Sequence, residues 1–220
     1  MATAFTEFKK YIAPDVLPCP DPIVERELIS TIIDFCKRTH VITRDWNVDI
    51  SESTITTTTQ DSMDIDLTDL YTSYRPVAVA RLNIDGVEYE PQYKEIVNTL
   101  DAFDNDIKIE GVKFFWFKDD DTIRIYDMDD SDENLYIRII VKPIRAITTV
   151  ADEFIYEDHI ETIAAGVRYR ILGMPGKPWT SPTGAKQAYI DWRRGISKAR
   201  ANRDRGYTKN PQTVHPRSFG

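Results

Sequence analysis

The chain has 220 residues, 41% of them apolar and 29% charged, with a formal net charge of −8. That is enough for one sizeable domain with an inserted lobe, and it leaves much of the surface polar. No run of about 18 apolar residues occurs, so nothing predicts a membrane span, and Met1–Tyr11 has no apolar stretch behind Lys9 and Lys10 to suggest a secretory signal.

Residues 1–20 read as an extended arm. Pro14, Pro18, Pro20 and Pro22 break helical hydrogen bonding, while Phe5, Phe8, Tyr11, Ile12 and Leu17 supply apolar anchors. A helix is predicted over 21–40, with Asp21 as N-cap, Pro22 in the first turn and Lys37 and Arg38 in the last. Val24, Leu28, Ile32 and Phe35 form one stripe, flanked by Ile29, Ile33 and Cys36. So wide an apolar face predicts packing on two sides. Cys19 and Cys36, the only cysteines, are expected to be reduced.

From 41 to 149 the period becomes two. Strands are predicted around Trp46–Ile50, Thr54–Thr59, Met63–Leu67, Val77–Ile84, Val112–Phe117, Thr122–Tyr126 and Leu135–Val141. Asp85-Gly86 marks a tight hairpin turn into Val87 and Tyr89, and Lys118-Asp119-Asp120-Asp121 an acidic hairpin tip. Short strands with frequent turns predict an antiparallel sandwich or barrel-like lobe.

The helical period returns over 150–206. Tyr156, Ile160, Ile163, Val167 and Ile171 share one face, and Gly173 and Pro175 end that helix. Ser181-Pro182 opens another, with Ala185, Ala188, Tyr189, Trp192, Ile196 and Ala199 on its expected buried side. Arg193, Arg194, Lys198, Arg200, Arg203 and Arg205 take the other faces, toward a partner chain or water. Residues 207–220 carry Pro211 and Pro216 without periodicity and read as an extended tail. The expected fold class is therefore α+β: one N-terminal and two C-terminal helices in a layer, with an antiparallel β lobe inserted between them.

Chemistry-bearing patterns are few. Asp127, Asp129, Asp130, Asp132 and Glu133 alternate somewhat like a calcium loop, but no glycine supplies its sharp turn, so solvated turns are expected here and at Asp119–Asp121. Glu110 and Lys113 lack the further acidic partners a two-metal nuclease needs. His40, His159 and His215 share no ligand spacing, and no serine stands in G-x-S-x-G. Gly173-Met174-Pro175-Gly176-Lys177 has the wrong spacing for a phosphate loop and reads as an interhelical bend. No catalytic residue, metal ligand or cofactor site is predicted.

Charge is unevenly distributed. Residues 163–220 carry +10 and residues 1–162 carry −18. A basic segment on an acidic body can bind nucleic acid or the acidic face of an identical neighbour. For nucleic acid, Arg193–Arg205 would contact phosphates, with Tyr189 and Trp192 available for stacking. Both aromatics fall on the apolar stripe and are expected in the core instead.

Several words of the sequence resemble the head-to-tail adaptor (connector) family of tailed bacteriophages, especially short-tailed ones. They are Pro18-Cys19-Pro20-Asp21-Pro22, Asp34-Phe35-Cys36-Lys37-Arg38-Thr39 and Val141-Lys142-Pro143 in the first two thirds. The last third adds Ile163-Ala164-Ala165-Gly166, Leu172-Gly173-Met174-Pro175, Lys177-Pro178-Trp179, Gly184-Ala185, Arg203-Asp204-Arg205-Gly206 and Arg217-Ser218-Phe219-Gly220. The similarity covers the two helical ends, about half the chain. It implies a non-enzymatic virion protein at the head–tail junction, assembled in the host cytoplasm as a homo-oligomeric, twelve-fold ring. Its implied partners are the portal protein on one side and tail tube or nozzle proteins on the other, with phage DNA passing through the channel without specific binding. Arg200, Arg203, Arg205, Tyr207, Arg217 and Phe219 are the expected partner-binding residues, and a nucleic-acid-binding protein using the basic C-terminal helix is the alternative.

Overall fold

The computed structural model describes residues 3–49, 56–59, 62–67, 73–91, 113–117, 122–126, 134–145, 149–150 and 153–204. The expected extended arm is corrected at once. Phe5–Ile12 is an α-helix (α1), followed by a 3-10 turn at Ala13–Asp15. The prolines begin only at Pro14, so nothing upstream forbids helix. Phe8 and Ile12, four residues apart, are fully buried, and the Phe8 ring stands edge-on to Tyr156 at 5.1 Å. Lys9 ties α1 to the next helix through Glu25 (2.5 Å) and Asp21 (3.3 Å).

Helix α2 spans Asp21–Thr39. Its N-cap is Pro20, one residue before the expected Asp21, which instead lies in the first turn. It ends at His40, whose left-handed backbone (φ 56°) turns its N–H back onto the Cys36 carbonyl. Val24, Leu28, Ile32, Phe35 and Cys36 are buried, and the helix packs on three other helices as well as a strand of the lobe. Both cysteines are free thiols.

The lobe comprises β2 (Thr43–Asp49), β3 (Thr56–Thr59), β4 (Ser62–Asp66), β5 (Tyr74–Ile84), β6 (Val87–Glu88), β7 (Glu90–Pro91), β8 (Phe114–Phe117), β9 (Thr122–Tyr126) and β10 (Asn134–Pro143). One sheet has the order β2-β10-β5-β6 and the other β3-β4-β9-β8-β7. Asp85 and Gly86 both have positive φ (47° and 89°), the requirement of the tight turn that sets Ile84 opposite Val87. The β8–β9 hairpin pairs Phe117 with Ile123, as its alternation predicts; its acidic tip and the 127–133 turn lie outside the described residues.

The two sheets meet along Val87–Pro91. Tyr89 donates its N–H to Leu82 in one sheet (3.0 Å), and Glu90 donates to Lys113 in the other (3.1 Å). Tyr89 is buried at this corner. The β7–β8 contact is parallel, a departure from the wholly antiparallel lobe expected.

Helices α3 (Glu153–Leu172) and α4 (Pro182–Asp204) complete the layer. Ser181 caps α4, its Oγ accepting from the Gly184 N–H (3.3 Å), and Gly173 closes α3 onto the Tyr169 carbonyl (3.2 Å). A short ribbon pairs β1 (Thr3–Ala4) with β11 (Thr149–Val150), joining the start of the chain to the end of the lobe. The fold is α+β, with the helices of both chain ends in mutual contact and the β lobe inserted between them. One apolar cluster runs through both parts, from Phe35, Ile163 and Trp192 to Ile137, Ile125 and Ile65.

Candidate partner-binding surface

Helix α4 buries a narrow stripe: Ala185, Ala188, Trp192, Ile196 and Ala199. Alanines and glycines let it approach α3 closely. Around Gly166 of α3, an added Cβ would lie 2.6 Å from Thr31 of α2 and 2.7 Å from the Trp192 ring. With contact so close, only side chains pointing straight at α3 and α2 are covered.

Tyr189 is consequently not in the core. It is 40% exposed whereas Trp192 is 4% exposed, which corrects the expectation that both are buried. Its ring packs at a tilt against Tyr169 of α3 (4.9 Å between centroids), and the Arg193 guanidinium lies 5.9 Å from its centroid. Ile190 beside it is 36% exposed. Lys186, Arg193 and Lys198 are exposed and form no ion pair within the described residues; Arg194 reaches Asp191 only at 3.9 Å. On α3, Glu157, Asp158 and Glu161 are exposed carboxylates, also without an ion pair among the described residues. Among the described residues the helix pair thus presents an aromatic ring and cations without ion pairs on α4, and carboxylates without ion pairs on the first half of α3.

Arg200 and Arg203 make contacts within the chain that the sequence does not announce. Arg200 Nε donates to the Arg38 carbonyl (2.6 Å), and Arg203 Nη1 donates to the Thr39 carbonyl (3.0 Å). The last carbonyls of a helix lack intrahelical donors and carry the negative end of its dipole, so two guanidinium groups there close α2. Burial, then Arg203 and Arg200, hold the neighbouring His40 imidazole below its ordinary range. These arginines therefore bind α2 within the chain, in addition to anything they contact outside it. Arg205, Tyr207, Arg217 and Phe219 lie outside the described residues.

Sequence reasoning missed Tyr169, although its position was open to inspection. It falls two residues after Val167 and two before Ile171, on the side of α3 opposite their shared face. Tyr189 was not open to the same test, since it stands four residues after Ala185 and three before Trp192, on the edge of their shared face.

Among the described residues no three His, Cys, Asp or Glu side chains are grouped to hold a metal ion, and no helix is long and apolar enough to cross a membrane. Lys113 lies over the Tyr89 ring (5.5 Å), while Glu110 and His215 are outside the described residues. Gly173–Lys177 forms the bend between α3 and α4, with Lys177 N–H on Thr180 Oγ1 (3.0 Å) and Ser181 N–H on the Leu172 carbonyl (3.0 Å). No protein-family model matches this chain, and no curated protein sequence is significantly similar to it.

Proposed function

We propose that the chain is a structural subunit of a tailed-phage particle, an adaptor that forms a ring between portal and tail and leaves a channel for the genome. The observation that carries this reading is the pairing of unlike surfaces on one helix layer. Lys186, Arg193 and Lys198 with exposed Tyr189 and Ile190 lie on α4, and Glu157, Asp158 and Glu161 lie on α3. Two unlike, complementary patches on one subunit suit head-to-tail contacts that close into a ring. The words resembling the adaptor family add support, since those at α2, α3 and α4 belong to elements that pack into one layer. On this reading twelve copies assemble on a portal protein, tail tube or nozzle proteins dock on the far side, and DNA passes without specific binding.

A second reading, nucleic-acid binding by α4, draws on the exposed Tyr189 ring beside Arg193, a stacking group next to a cation. Against it stands the charge of −18 over residues 1–162, which repels phosphate. Sedimentation separates the two. An adaptor co-sediments with a portal protein and forms rings visible by electron microscopy, with negligible affinity for duplex DNA near physiological salt. Changing Lys186 and Arg193 together to Glu removes cations that have no ion pair among the described residues, so it should slow ring assembly and flatten its salt dependence while the circular dichroism is unchanged. Tight DNA binding whose logarithm falls with log salt at about −0.9 per phosphate contact, without portal binding, would replace the adaptor reading by the second one.

A further inference from the structure

The outer face of the β2–β10–β5 sheet ends in an open cleft of about 430 Å³ beside the Asp85-Gly86 turn. That volume lies within the range of small-molecule sites. In the strand register Tyr136 of β10 stands between Asn47 of β2 and Asn83 of β5, so an aromatic ring is flanked by two carboxamides on one face. At the mouth Asp85 accepts from both the backbone N–H and the side-chain amide of Asn134 (3.1 Å each), and Asn83 Oδ1 accepts from the Gly86 N–H (2.8 Å).

These bonds fix the groups and leave others available. Asn83 keeps both amide hydrogens of Nδ2, and the Asn47 carboxamide makes no bond to the described residues. Tyr136 is held from below: the Arg138 guanidinium lies 5.9 Å from its centroid and is itself anchored to Asp45 by two bonds (2.6 and 2.8 Å). With Arg138 so paired, no free cation lines the cleft among the described residues, which disfavours an anionic ligand. A single carboxylate, already accepting two N–H bonds, is a poor metal site.

We propose that this cleft binds a neutral saccharide. Vicinal hydroxyls are each donor and acceptor, and a carboxamide offers both functions side by side, so Asn47 and Asn83 match a pair of them. The apolar C–H face of a pyranose ring covers an aromatic ring such as Tyr136. The site lies on the β lobe and does not depend on the adaptor reading.

The test is an NMR titration of the full-length chain, labelled with 15N, with methyl glucopyranoside, methyl galactopyranoside, N-acetylglucosamine and maltose, and with sodium sulfate as the anion control. At least one sugar should shift the Asn47 and Asn83 side-chain amides and the Gly86 N–H saturably, with a dissociation constant on the order of millimolar. Asn47→Ala, which breaks no described intrachain bond, should weaken binding about threefold to tenfold. Tyr136→Leu should weaken it further, with melting behaviour as the check on its fold. Absence of saturable shifts with all four sugars overturns the proposal. So does equal affinity in Asn47→Ala, or the same shifts produced by sulfate.

Discussion

Replacing Gly166 by alanine tests the close packing of three helices at one point of the layer. The new Cβ would stand 2.6 Å from Thr31 Cγ2 and 2.7 and 2.9 Å from two carbons of the Trp192 ring. Carbon atoms in ordinary contact lie about 3.5–4.0 Å apart, so roughly 1 Å of relief is required. Neither neighbour can readily give it. Thr31 is fully buried with its hydroxyl bonded to the Glu27 carbonyl (2.7 Å), and Trp192 is 4% exposed beneath Phe35, ring centroids 5.9 Å apart. Overpacking a rigid core destabilises by about 1–3 kcal/mol, and two immobile obstacles place this case in the upper half. Alanine in place of glycine returns about 1 kcal/mol of helix propensity. The net expectation is a loss of about 1–2 kcal/mol, a fall in melting temperature of about 2–8 °C for a chain of this size. Urea unfolding followed by tryptophan fluorescence measures it. Thr31→Ser removes the nearest methyl and keeps the hydroxyl, so the double variant should be less destabilised than the sum of the singles by at least about 0.5 kcal/mol. A Gly166→Ala variant as stable as the parent would refute the close approach of α2, α3 and α4 at this point.

Two further expectations follow from the same layer. Arg203→Ala removes a donor from the C-terminus of α2 and should lower stability by about 0.5–1.5 kcal/mol in thermal melts, with Arg200→Ala similar; wild-type stability in both variants would mean that solvent satisfies those carbonyls equally well. His159 is buried against Phe35 (4.9 Å) and Phe154 (6.3 Å), its Nε2 without a hydrogen-bond partner among the described residues. Burial holds its imidazole below the ordinary 6.5, with Asp158 opposing and Lys198 adding to the shift. The unfolded chain takes up the proton at the higher value. The stabilisation is therefore complete above about pH 6.5 and is lost as pH falls through the depressed folded value. Urea midpoints measured from pH 7.5 to 5 should fall in the parent and fall less steeply in His159→Gln; parallel curves would remove His159 as the cause.

Much of the fold was readable from local pattern. The apolar period of α2, α3 and α4, the Ser181 cap, the Gly173 stop, the Asp85-Gly86 turn and the β8–β9 hairpin each depend on residues near one another in the chain. Steric limits on φ and ψ, side-chain periodicity and capping act over a few residues, so they leave a trace in a few residues. The error at α1 was also local: prolines from position 14 onward were allowed to speak for Phe5–Ile12, where Phe8 and Ile12 already stood a helical turn apart.

Other features depended on which distant segments meet. That Val87–Pro91 serves two sheets follows from Leu82 and Lys113 lying on either side of it, and no window of sequence contains both. Tyr189 and Trp192 have equal claim to an apolar stripe until the small residues of α3 and α4 set how near the helices come; only then is one ring covered and the other left outside. Arg200 and Arg203 count as surface charge in any linear reading, yet their donors meet carbonyls at positions 38 and 39. The cleft likewise needs Asn47, Asn83 and Tyr136 in register on three strands. The sequence alone determined the kind, order and approximate ends of most elements, because those are fixed by near-neighbour sterics and hydrogen bonding. The tertiary structure alone decided which faces are covered and which charged groups are spent inside the chain, because burial and pairing are properties of contacts between residues far apart in sequence.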